Sequence, residues 1–143
     1  MTATTEETRI VVVEREFPHP PEKLWRALTQ PHLIAEWLMR NDFAPAAGHR
    51  FNLSGDWGGV LDCEVLEVRP VEALSYSWNL IHADPALGLR STVTFSLVPT
   101  PGGTRLRMEQ SGFRPDQKRA SGGAKFGWGQ FLDKLDGLLA RID

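Results

Sequence analysis

Aromatic side chains are the residues of this sequence whose number and spacing most clearly indicate a binding chemistry. The chain has five Trp, seven Phe and one Tyr, and four of the Trp lie on apolar stripes at helical or strand spacing. Each ring taken singly is explained as a filler of the core. Together the rings would surround an apolar pocket with few polar groups, which is typical of a small-molecule site. The residues predicted to line this pocket are Trp37, Glu64, Tyr76, Trp78, Arg90, Phe95, Trp128 and Phe131.

Charged side chains could add acid–base or polar recognition chemistry to such a pocket. A solvated surface is the plainer interpretation of each, because charged groups are rarely buried unpaired. We select Glu64 and Arg90, since a buried carboxyl group such as that of Glu64 could act as a general acid or base. The set from which they come is Asp62, Glu64, Arg90, Arg107, Glu109 and Lys125.

Nucleophilic and metal chemistry have less support. Cys63 is the one cysteine and lies within a predicted strand, where a buried thiol behaves as a small hydrophobic side chain. The Ser-Gly pairs lack the spacing of a nucleophile elbow. His32 and Glu36 could share a helical face, but the other histidines add no ligand spacing. We predict no metal and no cofactor, and catalysis stays open.

The composition limits the class of protein. Hydrophobic residues are 41% and charged residues 24% of the 143 residues, which predicts a single globular domain over 1–143. The net charge of -2 provides no positive field for nucleic acid or anionic lipid. The start, Met1–Glu7, lacks a basic region, and Ile10–Val13 is too short to insert into a membrane. With a single cysteine, we expect a cytoplasmic protein.

The apolar pattern predicts a strand, two short helices and then a run of strands. Thr8–Phe17 is extended and ends at a proline-rich stretch, because proline donates no ladder hydrogen bond. Pro21 and Pro31 each suit the first turn of a short helix. The short connectors after them favour antiparallel hairpins. The predicted strands of this run are His49–Ser54, Gly59–Arg69, Ala73–Leu80, Leu87–Pro99 and Thr104–Ser111.

One of these strands has a broken alternation. Within Gly59–Arg69, the apolar residues Val60 and Leu66 share their parity with charged residues, and the opposite parity is also mixed. The pattern predicts either a bulge that switches the register or partial burial of both faces.

A long C-terminal helix should cover the sheet. Its apolar stripe recurs every three or four residues through Trp128, Phe131, Leu132, Leu135, Leu138, Leu139 and Ile142. Glycines weaken its start by about 1 kcal/mol each relative to Ala. They indicate either a loop before the helix or a helix whose small residues leave volume free against the sheet. These glycines are Gly122, Gly123, Gly127 and Gly129.

Two loops could control access to the pocket. We interpret Gly112–Gly123, which is basic and rich in glycine, as a solvated loop or as a mobile gate over the pocket. Trp57, in a glycine-rich hairpin, would stand at the pocket mouth or cover a sheet edge.

The order of elements resembles the helix-grip fold of the START-like superfamily, which is also called the polyketide cyclase/dehydrase-like superfamily. This is an α+β fold in which a curved antiparallel sheet wraps around the C-terminal helix, with two short helices after the first strand. The motifs are similar to those of the branch named after the activator of the heat-shock protein 90 ATPase. They are Phe17–Thr29, Leu33–Trp37, Gly58–Val60, Val68–Pro70, Leu74–Trp78, Thr92–Phe95, Gly103–Leu106 and Gly127–Trp128.

The resemblance implies a fold more sharply than a function, because this fold serves many functions. We expect the chain to bind a small hydrophobic molecule between the sheet and the last helix. The alternatives are a cyclase, dehydratase or hydrolase acting on a hydrophobic substrate, and a co-chaperone-like interaction module. No residue selects a chaperone partner. We expect no nucleic-acid partner and no membrane insertion, and an exposed edge strand would support a homodimer.

Overall fold

A computed structural model describes residues 9–56, 58–84 and 87–143. The predictions made for residues 1–8 and for Trp57 lie outside these residues. The described strands form one seven-stranded antiparallel sheet in the order β1-β7-β6-β5-β4-β3-β2. The elements in chain order are β1 (Arg9–Phe17), α1 (Pro21–Thr29), α2 (Pro31–Trp37), β2 (Arg40–Asn41), β3 (Arg50–Ser54), β4 (Val60–Arg69), β5 (Ala73–Leu80), β6 (Leu89–Thr100), β7 (Gly103–Phe113) and α3 (Lys118–Arg141).

The two short helices begin at prolines, as predicted. Pro21 and Pro31 occupy the first helical positions of α1 and α2, where the missing N–H would have no partner inside the helix. Gln30 ends the first helix and precedes the second, and its backbone N–H donates to the carbonyl of Arg26. The two helices therefore follow each other with one extended residue between them.

Each strand of the sheet has an inner face that is covered by the helices and an outer face. On β6, Val93, Phe95 and Leu97 are buried, and the residues between them are half-buried. On β4 the pairing with β5 shifts register between Val65 and Glu67, so a bulge is present and explains the broken alternation. The bulge was one of the two predicted alternatives.

The long helix α3 crosses the inner face of the sheet and packs against α1 and α2 as well as β1 and β7. Its buried side chains follow the predicted stripe: Trp128, Leu132, Leu135, Leu138 and Leu139. The glycines near its start belong to the helix and not to a loop. The architecture is the α+β helix-grip fold.

The prediction of a long loop over Gly112–Gly123 is wrong. Strand β7 continues to Phe113 and α3 begins at Lys118, which leaves only residues 114–117 as a connection. Gln117 fixes this connection, because its Oε1 accepts from the backbone N–H of Arg114 and its Nε2 donates to the carbonyl of Gly88. The pairing of β7 as far as Phe113 and the hydrogen bonds of the Gln117 amide therefore give this segment a defined structure, and it does not form the long mobile gate. The two-residue strand β2 was not predicted.

Candidate functional site

An open cavity of about 260 Å³ lies between α3 and the inner face of the sheet. Strands β4 to β7 supply one wall and the first half of α3 supplies the other. Apart from Gln110, the side chains that line it are apolar or aromatic. The lining residues are Met39, Leu61, Trp78, Leu80, Leu89, Gln110, Phe113, Ala120, Gly123, Ala124, Gly127, Trp128 and Phe131.

Three aromatic rings meet at the centre of the cavity wall. The ring of Trp128 lies 5.2 Å from that of Trp78 and 5.4 Å from that of Phe131, measured between ring centroids. Edge-to-face and tilted contacts at these distances stabilise the pairs and fix their orientation. A ligand in the cavity would therefore contact a wall of rings whose positions are set by packing.

Glycine creates part of the free volume. Gly123 and Gly127 both line the cavity, and a Cβ atom built on either would meet no neighbouring atom within 4 Å. Gly122 and Gly129 have equally open Cβ positions but do not line it. The glycine-rich half of α3 thus leaves space against the sheet, which was the second of the two predicted explanations.

The structure brings together three of the eight residues predicted for the pocket, namely Trp78, Trp128 and Phe131. The rings of Trp37, Tyr76 and Phe95 are buried in the core beside the cavity. Phe95 connects the two groups, because its ring is 5.7 Å from that of Trp128 and 6.2 Å from that of Trp37.

Glu64 and Arg90, which were predicted to line the pocket, do not line this cavity. On β4 the inner face carries Leu61 and Cys63, so the side chain of Glu64 points to the outer face. There Glu64 lies 3.7 Å from Arg50 in an exposed ion pair. Glu64 and Arg90 both line a depression of about 500 Å³ on the outer face of the sheet. The alternation of side chains along β4 explains why Glu64 lies on the outer face. The sequence alone left this ambiguous, because the bulge changes the parity of the strand.

The polar group of the cavity is the side chain of Gln110 on β7, which is 1% exposed. Its Oε1 accepts a hydrogen bond of 2.9 Å from the indole Nε1 of Trp128. Its Nε2 donates to the Ser91 hydroxyl at 3.0 Å, and that hydroxyl donates to the carbonyl of Trp78 at 2.7 Å. This chain of bonds joins α3 to three strands at the cavity wall.

Gln110 was not predicted as a site residue, although the sequence contains a signal for it. On β7, Leu106 and Met108 point inward and Gln110 has the same parity, so a polar residue continues an apolar face. The polar candidates on this strand were Arg107 and Glu109. These have the opposite parity and form an ion pair of 2.8 Å on the half-exposed side.

Two titratable side chains are buried near the aromatic core. Burial raises the pKa of the Cys63 thiol to about 12, and the negative charge of Asp62 acts in the same direction. Burial also raises the pKa of Tyr76 well above its usual value. Both groups are held in their neutral forms, and Cys63 is buried as a hydrophobic side chain, as predicted.

In the part of the chain that the structure describes, no group of three or more His, Cys, Asp or Glu residues is placed to hold a metal ion. None of the described helices is long and apolar enough to cross a membrane.

Comparison with known proteins identifies the fold class first. The solved structure of protein MLL2253 from Mesorhizobium loti has 74% sequence identity and a TM-score of 0.91, and the match covers 94% of this chain and 99% of that chain. Protein BH1534 from Bacillus halodurans is 25% identical, with a TM-score of 0.77 and coverage of 92% and 96%. DynU16, from the dynemicin biosynthetic locus, is 24% identical with a TM-score of 0.81 over 92% of this chain and 47% of that one. These structures share the START-like helix-grip fold.

The family follows from the sequence match. The model of the family described as activator of Hsp90 ATPase homolog 1-like protein matches residues 18–140. The chain belongs to this family, as its motifs predicted. No curated protein sequence matches the chain significantly.

Proposed function

We propose that this protein binds a small apolar molecule in the cavity between α3 and the sheet. The open cavity itself carries the proposal, because it is lined almost entirely by apolar and aromatic side chains. Membership of a family whose fold is generally used for ligand binding supports it.

The cavity volume limits the range of ligand sizes that can be bound. At about 260 Å³ the cavity is slightly smaller than sites for drug-sized ligands, which occupy roughly 300–1,000 Å³. One or two fused rings, or a short branched chain, would fill it. A long-chain lipid would leave most of its length in water.

Binding is favoured over acid–base catalysis. None of the described residues that line the cavity has an ionisable side chain. Glu64, the carboxylate considered for catalysis, lies on the outer face beside Arg50. The same proposal includes a cytoplasmic location, in keeping with the free thiol of Cys63. It includes no nucleic-acid or chaperone partner.

A pair of adjacent glycine substitutions tests the site. Gly123→Leu places a side chain into the cavity, whereas Gly122→Leu places the same side chain on the same helix outside it. Both changes raise helix propensity by about 1 kcal/mol. With 2-ethylnaphthalene as the probe, titration calorimetry should show at least a tenfold loss of affinity for Gly123→Leu and little change for Gly122→Leu.

Native mass spectrometry of the purified protein complements this test. A mass of a few hundred daltons that is lost on denaturation would identify a resident ligand. The proposal fails if 2-ethylnaphthalene and other one- and two-ring compounds do not bind, or if both leucine variants bind them equally well.

A further inference from the structure

Gln110 is the polar side chain of an otherwise apolar cavity, and its hydrogen bonds leave part of its amide unused. A carboxamide has two N–H donors and an oxygen with two lone pairs. The side chain is 1% exposed, so bulk solvent contacts almost none of its surface.

The orientation of this carboxamide is fixed by its neighbours. The indole N–H of Trp128 can only donate, so the atom that faces it is the oxygen of Gln110. The hydroxyl proton of Ser91 is directed at the carbonyl of Trp78, so its oxygen accepts from Gln110 Nε2. A flipped amide would place two donors against each other at Trp128.

One amide hydrogen of Gln110 is therefore left over. Nε2 carries two hydrogens, and the bond to Ser91 uses one of them. No second bond from Nε2 is present among the described residues. A buried N–H without a partner costs about 1–3 kcal/mol. Because Gln110 lines the cavity, a ligand there would lie next to this amide.

We propose that the ligand carries a neutral hydrogen-bond acceptor, such as a ketone, ester or amide carbonyl, which binds the free Nε2–H of Gln110. This inference rests on the proposed function and deepens it, because it adds one polar group to the apolar body of the ligand. The rings of Trp78, Trp128 and Phe131 contact the apolar body.

The acceptor is neutral because the cavity has no cation to balance a carboxylate. Burying a carboxylate against a single neutral donor is unfavourable. The basic side chains of Lys118 and Arg119 line a separate depression that adjoins the cavity at Leu80, Leu89 and Ala120. An anionic ligand would have to reach out of the apolar cavity to pair with them.

A matched pair of probes tests the proposal. 2-Acetylnaphthalene and 2-ethylnaphthalene have nearly the same shape, but only the ketone has an acceptor. In Gln110→Met the Nε2–H is lost and the side-chain volume is retained. We expect this variant to bind the ketone about tenfold more weakly, relative to the hydrocarbon, than the wild type does. Gly122→Leu, which lies on α3 outside the cavity, should retain the preference of the wild type.

A second measurement needs no variant and so does not depend on the folding of Gln110→Met. In the wild-type complex, the carbonyl stretching frequency of 2-acetylnaphthalene should be lower than in cyclohexane, because a hydrogen bond weakens the C=O bond. In addition, the Gln110 side-chain amide signals in a nitrogen–proton NMR spectrum should move with the ketone and not with the hydrocarbon.

The outcomes separate this inference from the proposed function. If the hydrocarbon binds but the ketone shows neither Gln110 dependence nor a lowered stretch, the inference is wrong and the apolar site stands. If neither probe binds, both fail. If 2-naphthoate binds more tightly than the ketone, the ligand class is anionic and the inference is overturned.

Discussion

Cys63 shows at the scale of one residue how burial controls chemistry. The side chain lies on the inner face of β4, where desolvation and the charge of Asp62 disfavour the thiolate. The thiolate is the reactive form of cysteine. Cys63 is therefore chemically inert in the folded protein despite being a free thiol.

The reaction of Cys63 with a disulfide reagent should report this inertness. With a pKa raised from 9.0 to about 12, roughly one thiol in 10⁴ is ionised at pH 8, against about one in ten in an unfolded chain. We expect labelling by 5,5′-dithiobis(2-nitrobenzoate) at pH 8 to be at least 100-fold slower in the native protein than in 8 M urea. Equal rates would contradict the burial of this residue.

The raised pKa of Cys63 also makes the free energy of unfolding depend on pH. Because the pKa is raised on folding, the contribution of the thiol is fully present below the unfolded pKa. It is lost as the pH rises from about 9 towards 12, where the unfolded chain releases a proton that the folded chain keeps. Cys63→Ala should remove this part of the pH dependence.

At the scale of the element, the end of β7 positions the polar group of the cavity. Gly112 has a φ of 114°, and its backbone passes close to Arg90 and Ser91 on β6. Two residues earlier, Gln110 donates to the Ser91 hydroxyl. The close approach of the two strands at Gly112 therefore holds the two partners of this hydrogen bond in place.

Gly112→Ala should destabilise the protein by about 2–4 kcal/mol. A Cβ atom at this position would lie 2.5 Å from the carbonyl oxygen of Arg90, and its φ is unfavourable for L residues. Urea denaturation followed by circular dichroism measures the change. Gly102→Ala is the control, because it lies in a turn with nothing within 4 Å of its Cβ position and should cost less than 1 kcal/mol.

At the scale of the whole molecule, the sheet and α3 share one hydrophobic core that includes residues from β1 to α3. The cavity lies at the border of this core, and the aromatic contacts from Trp128 through Phe95 to Tyr76 connect the two. Occupation of the cavity should therefore be linked to global unfolding and not only to local order.

Saturation with 2-ethylnaphthalene should raise the midpoint of a single thermal transition. At a ligand concentration 100 times Kd, binding to the native state adds about 2.7 kcal/mol. For a chain of this length that corresponds to roughly 5–10 °C. Differential scanning calorimetry measures the shift, and Gly123→Leu should reduce it by at least about half. If 2-ethylnaphthalene raised the midpoint of Gly123→Leu as much as that of the wild type, the binding site would lie elsewhere.

Much of the fold could be predicted because it depends on local pattern. The prolines at the helix starts, the short connectors between strands and the stripe of α3 are properties of neighbouring residues. Alternation also placed Trp78 on a buried face, and the usual burial of cysteine predicted the same for Cys63. These features, together with the motifs of the family, determined the architecture before any contact was known.

The cavity depended on contacts that no local pattern encodes. The bond between Gln110 and Trp128 joins residues 18 apart, and that between Gln110 and Ser91 joins residues 19 apart. Pairing with β3, in which Glu64 lies opposite Arg50, left Glu64 on the outer face, and the bulge after Val65 changed the parity of the rest of β4. The sequence by itself determined the elements, the family and the apolar character of the inner face. Only the tertiary structure decided which polar group enters the cavity, because strand register and helix packing bring distant residues together.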